Sequence, residues 1–213
     1  WLIDRHGLLI SDQSDLVDFQ KPYARDRNEL SDWDVKDKNN ITLSEVVQHV
    51  KPTILIGCST MHGAFTEEIV KFMSRHCEIP IIMPLSNPTK LSEAEAKDVI
   101  RWSDGRALVA TGSPFKPVEY KGRTIEISQS NNALVFPGLG LGVIVSKPKV
   151  VSHAMIVVAA KTLSSCSPMR KNKDHPMLPN FNNISDVQIK IAVAVANQAR
   201  KEGLSMVSDD IDF

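Results

Sequence analysis

The stretch IPIIMPLSNPT, residues 79–89, constrains the fold more than any other part of the chain. Ile79, Ile81, Ile82, Met83 and Leu85 fill nearly every position, and the run then stops at Ser86, Asn87 and Pro88. A half-exposed strand alternates apolar and polar residues. A strand covered by helices on both faces is apolar throughout, so this one is expected inside a parallel sheet. In such sheets ligands collect beyond the carboxyl ends of the strands, where Ser86 and Asn87 fall. Asn87 is open to two readings, an Asn-Pro turn leading into a helix or a contact to a ligand.

The same order of strand, small-residue loop and capped helix recurs along the chain. Residues 53–57, TILIG, read as a buried strand, followed by the loop of Cys58, Ser59 and Thr60 and a helix capped by Thr66 with Glu67 and Glu68 in its first turn. Upstream, Thr42-Leu43-Ser44-Glu45 is a capping box opening a helix that Pro52 ends, and Ser92-Glu93-Ala94-Glu95 reads as a second, starting a helix that runs to Trp102. Residues 107–110 form a further strand with Gly112 just beyond it. At the start, residues 1–3 read as a strand ending at Asp4, before the turn Arg5-His6-Gly7. In dinucleotide-binding folds a carboxylate at such a strand end accepts hydrogen bonds from ribose hydroxyls; elsewhere it is a turn residue.

Loops at Asp4, Ser59, Asn87 and Gly112 are thus expected along one edge of one sheet, which makes the chain α/β with an incomplete Rossmann-like, doubly wound parallel sheet. Residues 11–40 are acidic, aperiodic and expected to be solvated. Residues 117–127 read as a hairpin turning at Tyr120-Lys121-Gly122-Arg123. Beyond them come three helices. Residues 138–145 are apolar on every side and so expected to be buried, and Gly138, Gly140 and Gly142 have the wrong spacing for a dinucleotide fingerprint and read as close helix packing. Residues 151–163 and 186–202 are the others, the last ended by Gly203, with Asp209, Asp210 and Asp212 expected in solvent. The division expected is residues 1–131 for the partial dinucleotide-binding domain and 132–213 for the helical segment.

Composition excludes several classes of function. The 213 residues carry 25 basic and 25 acidic side chains, with no basic run interleaved with aromatics, so no nucleic-acid partner is expected. No apolar run approaches the roughly 20 residues that span a bilayer, so no membrane partner is expected either. Cys58, Cys77 and Cys166 form neither a CxxC pair nor a disulfide framework, which fits a reducing compartment. Cys58 and His62 could form a nucleophile and base, but no acid is placed to orient them and packing is favoured. His6, His49, His76, His153 and His175 show no metal-ligand spacing. The chain opens on Trp1 without an initiator Met, as if in the middle of a strand, and is expected to be a fragment.

PLSNPT at 84–89, GSPF at 112–115 and NNALVFPGLGLG at 131–142, with WLIDRHGLL before them and KPTILIGCS between, closely resemble the malic enzyme family. The resemblance implies oxidative decarboxylation of L-malate to pyruvate and carbon dioxide, with NAD, or NADP as the lesser option, and Mg²⁺ or Mn²⁺. It further implies that the tyrosine acid, lysine base, substrate arginine, metal-binding carboxylates and glycine-rich phosphate loop lie upstream of Trp1. This chain would then hold no catalytic residue and no metal ligand, and the fragment alone would be inactive. Asp4 would meet the adenosine ribose, and Cys58, Ser59 and Gly112 the cofactor. Asn87 and Asn131 would serve both cofactor and malate, and Asn132 malate. Gln20 would stand where a lysine commonly marks NADP users, with Lys21 and Arg5 as nearby cations. A homo-oligomer, dimer or tetramer, in the cytoplasm or mitochondrial matrix is implied for the whole enzyme. The alternative is a non-catalytic nucleotide-binding or regulatory module.

Overall fold

The computed structural model describes residues 1–172 and 175–208, in a chain that divides into two compact units, Trp1–Leu108 and Val109–Phe213. The acidic tail at Asp209, Asp210 and Asp212 lies outside the described residues.

In the first unit, β1 (Ile3–Asp4) and β2 (Gly7–Leu8) pair antiparallel, Ile3 opposite Leu8 and Asp4 opposite Gly7. This corrects the expectation that residues 1–3 enter the parallel sheet. Gly7, at φ 96°, folds the chain back at once, and a Cβ there would lie 2.6 Å from the Ile41 carbonyl oxygen. The acidic stretch that follows is not simply solvated. Leu9 and Ser11 pair with Arg25, and Leu30 is buried with Leu8, Ile10, Ile41 and Val46 in a small core. Leu30, with Trp33 and Val35 partly buried beside it, anchors a segment in which Val17 and Phe19 stay exposed.

The first capping box forms as expected. Thr42 accepts from the Glu45 N–H while the Glu45 carboxylate accepts from the Thr42 N–H at 2.8 Å, starting α1 (Leu43–Val50). Next, β3 (Ile54–Gly57) and β4 (Ile81–Pro84) run parallel, Ile54 opposite Ile81 and Gly57 opposite Pro84. Between them lies α2 (Glu67–His76), with Thr66 as its cap. Burial on both faces does not hold: Leu55 and Ile82 are buried, but Ile54 and Ile56 are more than half exposed. Successive strand residues point to opposite faces, and the elements described in this unit cover only one of them. The second capping box also fails. The helix α3 (Ala96–Trp102) starts four residues after Ser92, its N-cap Glu95 makes no side-chain cap bond, and Ser92 instead donates to the Ala94 carbonyl at 2.9 Å.

The strand β5 (Leu108–Thr111) begins in the first unit, where the Leu108 N–H donates to Pro80 at 2.9 Å, and ends in the second. There the hairpin β6 (Val118–Tyr120) and β7 (Arg123–Ile125) turns at Lys121 and Gly122, both at positive φ, 49° and 74°, as a tight two-residue turn requires. Then β8 (Ser128–Gln129) runs parallel to β5, Ala110 opposite Ser128. The strand order is β3-β4-β5-β8. A parallel sheet with helices, followed by further helices, is the α/β Rossmann-like class that the sequence predicts.

Three helices close the second unit: α4 (Phe136–Ser146), α5 (His153–Ser165) and α6 (Ile184–Lys201). Their shared core holds Leu139, Met155, Ala159, Val187, Ile191, Val195 and Ala199. Gly138 and Gly142 allow α4 to approach α6 closely, since a Cβ on either would lie 2.7 Å from a backbone oxygen, of Gln188 or Ala192. Gly140 has no such neighbour and plays no part in that packing. Nor is α4 buried all round: Phe136, Leu141, Ile144 and Val145 are exposed, because α5 and α6 cover one side only. Gly203, at φ 67°, ends α6 as expected, and the Leu204 N–H turns back to Ala199 at 2.9 Å.

Candidate functional site

Asp4 sits where the β1–β2 turn begins, and its carboxylate is organised locally. Its Oδ1 accepts from the His6 N–H at 2.7 Å, and its Oδ2 accepts from Gln20 Nε2 at 3.2 Å. Gln20 is held by the Val17 N–H, which donates to its Oε1 at 3.1 Å. Two residues sixteen apart in sequence, both singled out above, therefore meet side chain to side chain. The nearby cations are engaged elsewhere: Lys21 pairs with Asp18 at 2.7 Å, and Arg5 Nε donates to His6 Nε2 at 2.9 Å. Beside His6 lies an open polar hollow of about 510 Å³, lined by Asp12, Asp15, Arg27 and Asn40 among others. Arg27 is spent there on Asp12, on the Lys38 carbonyl and on Asn39, and its guanidinium holds the Asp12 carboxyl below the usual range.

The loops after β3 and β4 are joined by a residue that the sequence pattern disguised. Glu93 is fully buried, and its Oε1 accepts from the Ser59 N–H at 2.7 Å, from Ser59 Oγ at 3.0 Å and from Ser86 Oγ at 2.5 Å. Its Oε2 accepts from the Ser86 N–H at 3.3 Å. Burial opposes the charge, yet these donors, Ser86 first among them, outweigh it and hold the carboxyl below the ordinary glutamate value. Ser86 Oγ in turn accepts from the Thr60 N–H at 2.8 Å. Gly57 is the local requirement for this arrangement, because a Cβ on it would stand 2.6 Å from Glu93 Cδ and 2.7 Å from the Phe65 ring. A glycine closing an otherwise β-branched and leucine strand was the signal in the sequence that something crosses there.

Around this core, Cys58 is exposed, Asn87 is exposed with its Nδ2 donating to the Leu85 carbonyl at 3.4 Å, and the Asn87-Pro88 bond is cis. His62 donates through Nδ1 to the Ser92 carbonyl at 3.1 Å; a carbonyl only accepts, so the proton is on Nδ1. That bond ties His62, itself exposed, to the segment leading into α3.

In the second unit, Gly112 is buried just past β5, and its carbonyl accepts from Gln129 Nε2 at 3.4 Å. The Ser130 N–H donates to Thr111 at 2.8 Å, which brings the Asn131 segment alongside the Gly112 loop. Asn131 Oδ1 accepts from the Ala133 N–H at 2.9 Å and caps the short turn Asn132–Leu134; Asn131 and Asn132 are both exposed. Gln188 of α6 stitches this segment down, its Nε2 donating to the Ala133 carbonyl at 2.8 Å and its Oε1 accepting from the Gly138 N–H. Among the described residues no helix is long and apolar enough to cross a membrane, and no group of three or more His, Cys, Asp or Glu is placed to hold a metal ion.

The family model described as "Malic enzyme, NAD binding domain" matches residues 1–200. An NAD-dependent malic enzyme of Photorhabdus laumondii is 48% identical over 210 residues, which are 99% of this chain and 37% of that protein. NAD-dependent malic enzyme 3 of Bacillus subtilis is 52% identical over 206 residues, 96% of this chain and 36% of its own length. The chain therefore spans little more than a third of the curated relatives it matches. Among solved structures, the malic enzyme of Entamoeba histolytica superposes with a TM-score of 0.70 at 23% identity, over 94% of this chain and 37% of that one. The malic enzyme of Pyrococcus horikoshii does so with a TM-score of 0.60 at 24% identity, over 80% and 35%. At these identities the likeness speaks for the fold.

Proposed function

The chain belongs to the malic enzyme family, and from that premise we propose that it forms the later part of the cofactor domain, and the helices that follow, of an enzyme converting L-malate to pyruvate and carbon dioxide with NAD. The observation that carries the reading is the Asp4–Gln20 bond, which sets a carboxylate and a neutral amide side by side in a chain whose relatives are named NAD-dependent. A carboxylate suits a ribose diol, and among the described residues its bonds are to the His6 N–H and the neutral Gln20 amide. NAD, when bound, supplies the hydride acceptor.

Residues of this chain then bind and orient. Asp4 and Gln20 hold the adenosine ribose, Cys58, Ser59 and Gly112 line the cofactor, and the exposed amides of Asn87, Asn131 and Asn132 meet the nicotinamide and malate. An amide donates to a carboxylate and accepts from a hydroxyl without adding charge beside the hydride path. By the family resemblance we assign Mg²⁺ or Mn²⁺, the acid and the base to residues outside this chain. Residues 1–131 belong on this reading to the dinucleotide-binding domain and 132–213 to helices returning to the catalytic part of a cytoplasmic or mitochondrial homo-oligomer. The test is malate-dependent NAD reduction with Mn²⁺, measured on the complete enzyme and on residues 1–213 alone. Turnover is expected from the first and none above the no-protein blank from the second. A complete enzyme inert toward malate and NAD would overturn the proposal.

A further inference from the structure

We propose that Glu93 is a positioning residue for the cofactor: its carboxylate occupies the loop after β3 from the inside, ties that loop to Ser86 after β4, and so decides which groups are offered to NAD. The inference rests on the NAD reading above. Three consecutive peptide N–H groups in this loop turn inward, that of Ser59 to Glu93 Oε1 at 2.7 Å, that of Thr60 to Ser86 Oγ at 2.8 Å and that of Met61 to Ser59 Oγ at 3.2 Å. Thr60 reaches this geometry at φ 57°. Here one N–H meets the Glu93 carboxylate directly and the other two meet the Ser86 and Ser59 hydroxyls that themselves donate to it, so a side chain of the same chain organises the whole loop.

Two consequences follow for NAD. The N–H groups of Ser59, Thr60 and Met61 are already used and the Thr60 hydroxyl donates to the Ser59 carbonyl, so the loop presents the exposed Cys58 rather than a phosphate cradle. Ser59, whose N–H and Oγ both donate to Glu93, serves as the tether. The adjoining Asn87 is set by the same carboxylate, because Ser86 gives it both its N–H and its hydroxyl. Charge is required, not only shape. Oε1 collects three donors where an amide oxygen accepts two, and an amide nitrogen at Oε2 would face the Ser86 N–H donor to donor.

The experiment uses the complete enzyme, with NAD affinity measured by calorimetry and amide hydrogen exchange followed by mass spectrometry. Glu93→Gln is expected to raise the Kd for NAD about ten-fold or more and to speed exchange across residues 58–61, while α6 keeps its wild-type protection. Glu93→Asp, which keeps the charge on a shorter stem, is expected to recover part of both losses. In steady state the KM for NAD should rise more than kcat falls. Unchanged exchange at 58–61, or faster exchange with an unchanged Kd, overturns the proposal. If Glu93→Gln loses protection throughout, Ser86→Ala decides: a Kd raised about three-fold supports the tether, and an unchanged one overturns it. Wild-type enzyme that fails to bind NAD overturns the functional reading together with this one; wild-type binding with no response in the variants overturns this one alone.

Discussion

Replacing Gln20 with lysine tests the nucleotide preference at its structural origin. Gln20 Nε2 lies 3.2 Å from Asp4 Oδ2, so an ammonium of similar reach would stand beside the carboxylate that we propose meets the ribose. A 2′-phosphate brings about 1.5 to 2 negative charges to that place, next to a carboxylate that repels it. A pair of unit charges about 4 Å apart interacts by about 1 kcal/mol in water and about 4 kcal/mol at the effective dielectric of a protein surface. Asp4 is exposed and would itself draw on the new charge, so the low end applies, about 1 to 2 kcal/mol. That corresponds to about a five- to thirty-fold shift in the ratio of kcat/KM for NADP to that for NAD. Lys21, whose exposed pair with Asp18 is worth only about 0.2 to 1 kcal/mol, can swing to the phosphate; Lys21→Ala in the same background should lower NADP use a few-fold. Initial rates of the complete enzyme at about 0.01 M salt, where the Debye length is about 30 Å, and again at about 0.15 M make the assay. A ratio that stays put at low salt, or one that moves equally at both, would refute the charge reasoning.

Gly142→Ala forces a methyl to within 2.7 Å of the Ala192 oxygen and 2.8 Å of Val195 Cβ, and is expected to lower stability by about 1 to 3 kcal/mol. Gly140→Ala, which meets nothing within 4 Å, is expected to be neutral or to stabilise by up to about 1 kcal/mol, so urea midpoints of the pair separate packing from propensity. Acid should weaken the first unit. Glu45, bonded first by Thr42, and Glu93 both titrate below their ordinary value when folded, so the unfolded chain binds more protons. Their contribution is complete above the unfolded value of about 4.3 and is lost as pH falls through the lower folded values. In Glu45→Gln the unfolding midpoint should fall less between pH 6 and 3 than in wild type, and identical pH profiles would contradict this. Residues 1–213 alone should self-associate through Phe136, Leu141, Ile144 and Val145, and a monodisperse monomer by light scattering would count against that face.

Local features of the fold were legible in the sequence because their causes lie within a few residues. The Thr42–Glu45 box, the Thr66 cap, the turn at Lys121-Gly122 and the stop at Gly203 each place donor, acceptor or glycine within one turn of its effect. The parallel run of β3 and β4 was legible too, since apolar strands alternating with capped helices leave few other arrangements. Asp4 was singled out as the acid ending an apolar run and Gln20 through the family resemblance, and only folding shows them bonded across sixteen residues.

What tertiary structure alone decided has a common cause, a partner remote in sequence. Ser92-Glu93-Ala94-Glu95 has the spacing of a cap, yet the Ser92 hydroxyl donates to the Ala94 carbonyl, Glu95 pairs with Lys97, and the helix starts later, at Ala96. Residues 1–3 have the composition of a core strand, but Gly7 and the Ile41 backbone hold them in a two-residue ribbon. The apolar surface of α4 and the open face of β3 follow the rule that apolar residues seek cover, but which cover they meet depends on elements far away. A sequence states what each residue can bond to or bury. The fold decides which partner arrives within 3 Å, and there the buried Glu93 carboxylate joins the loops after β3 and β4, remote from each other in sequence.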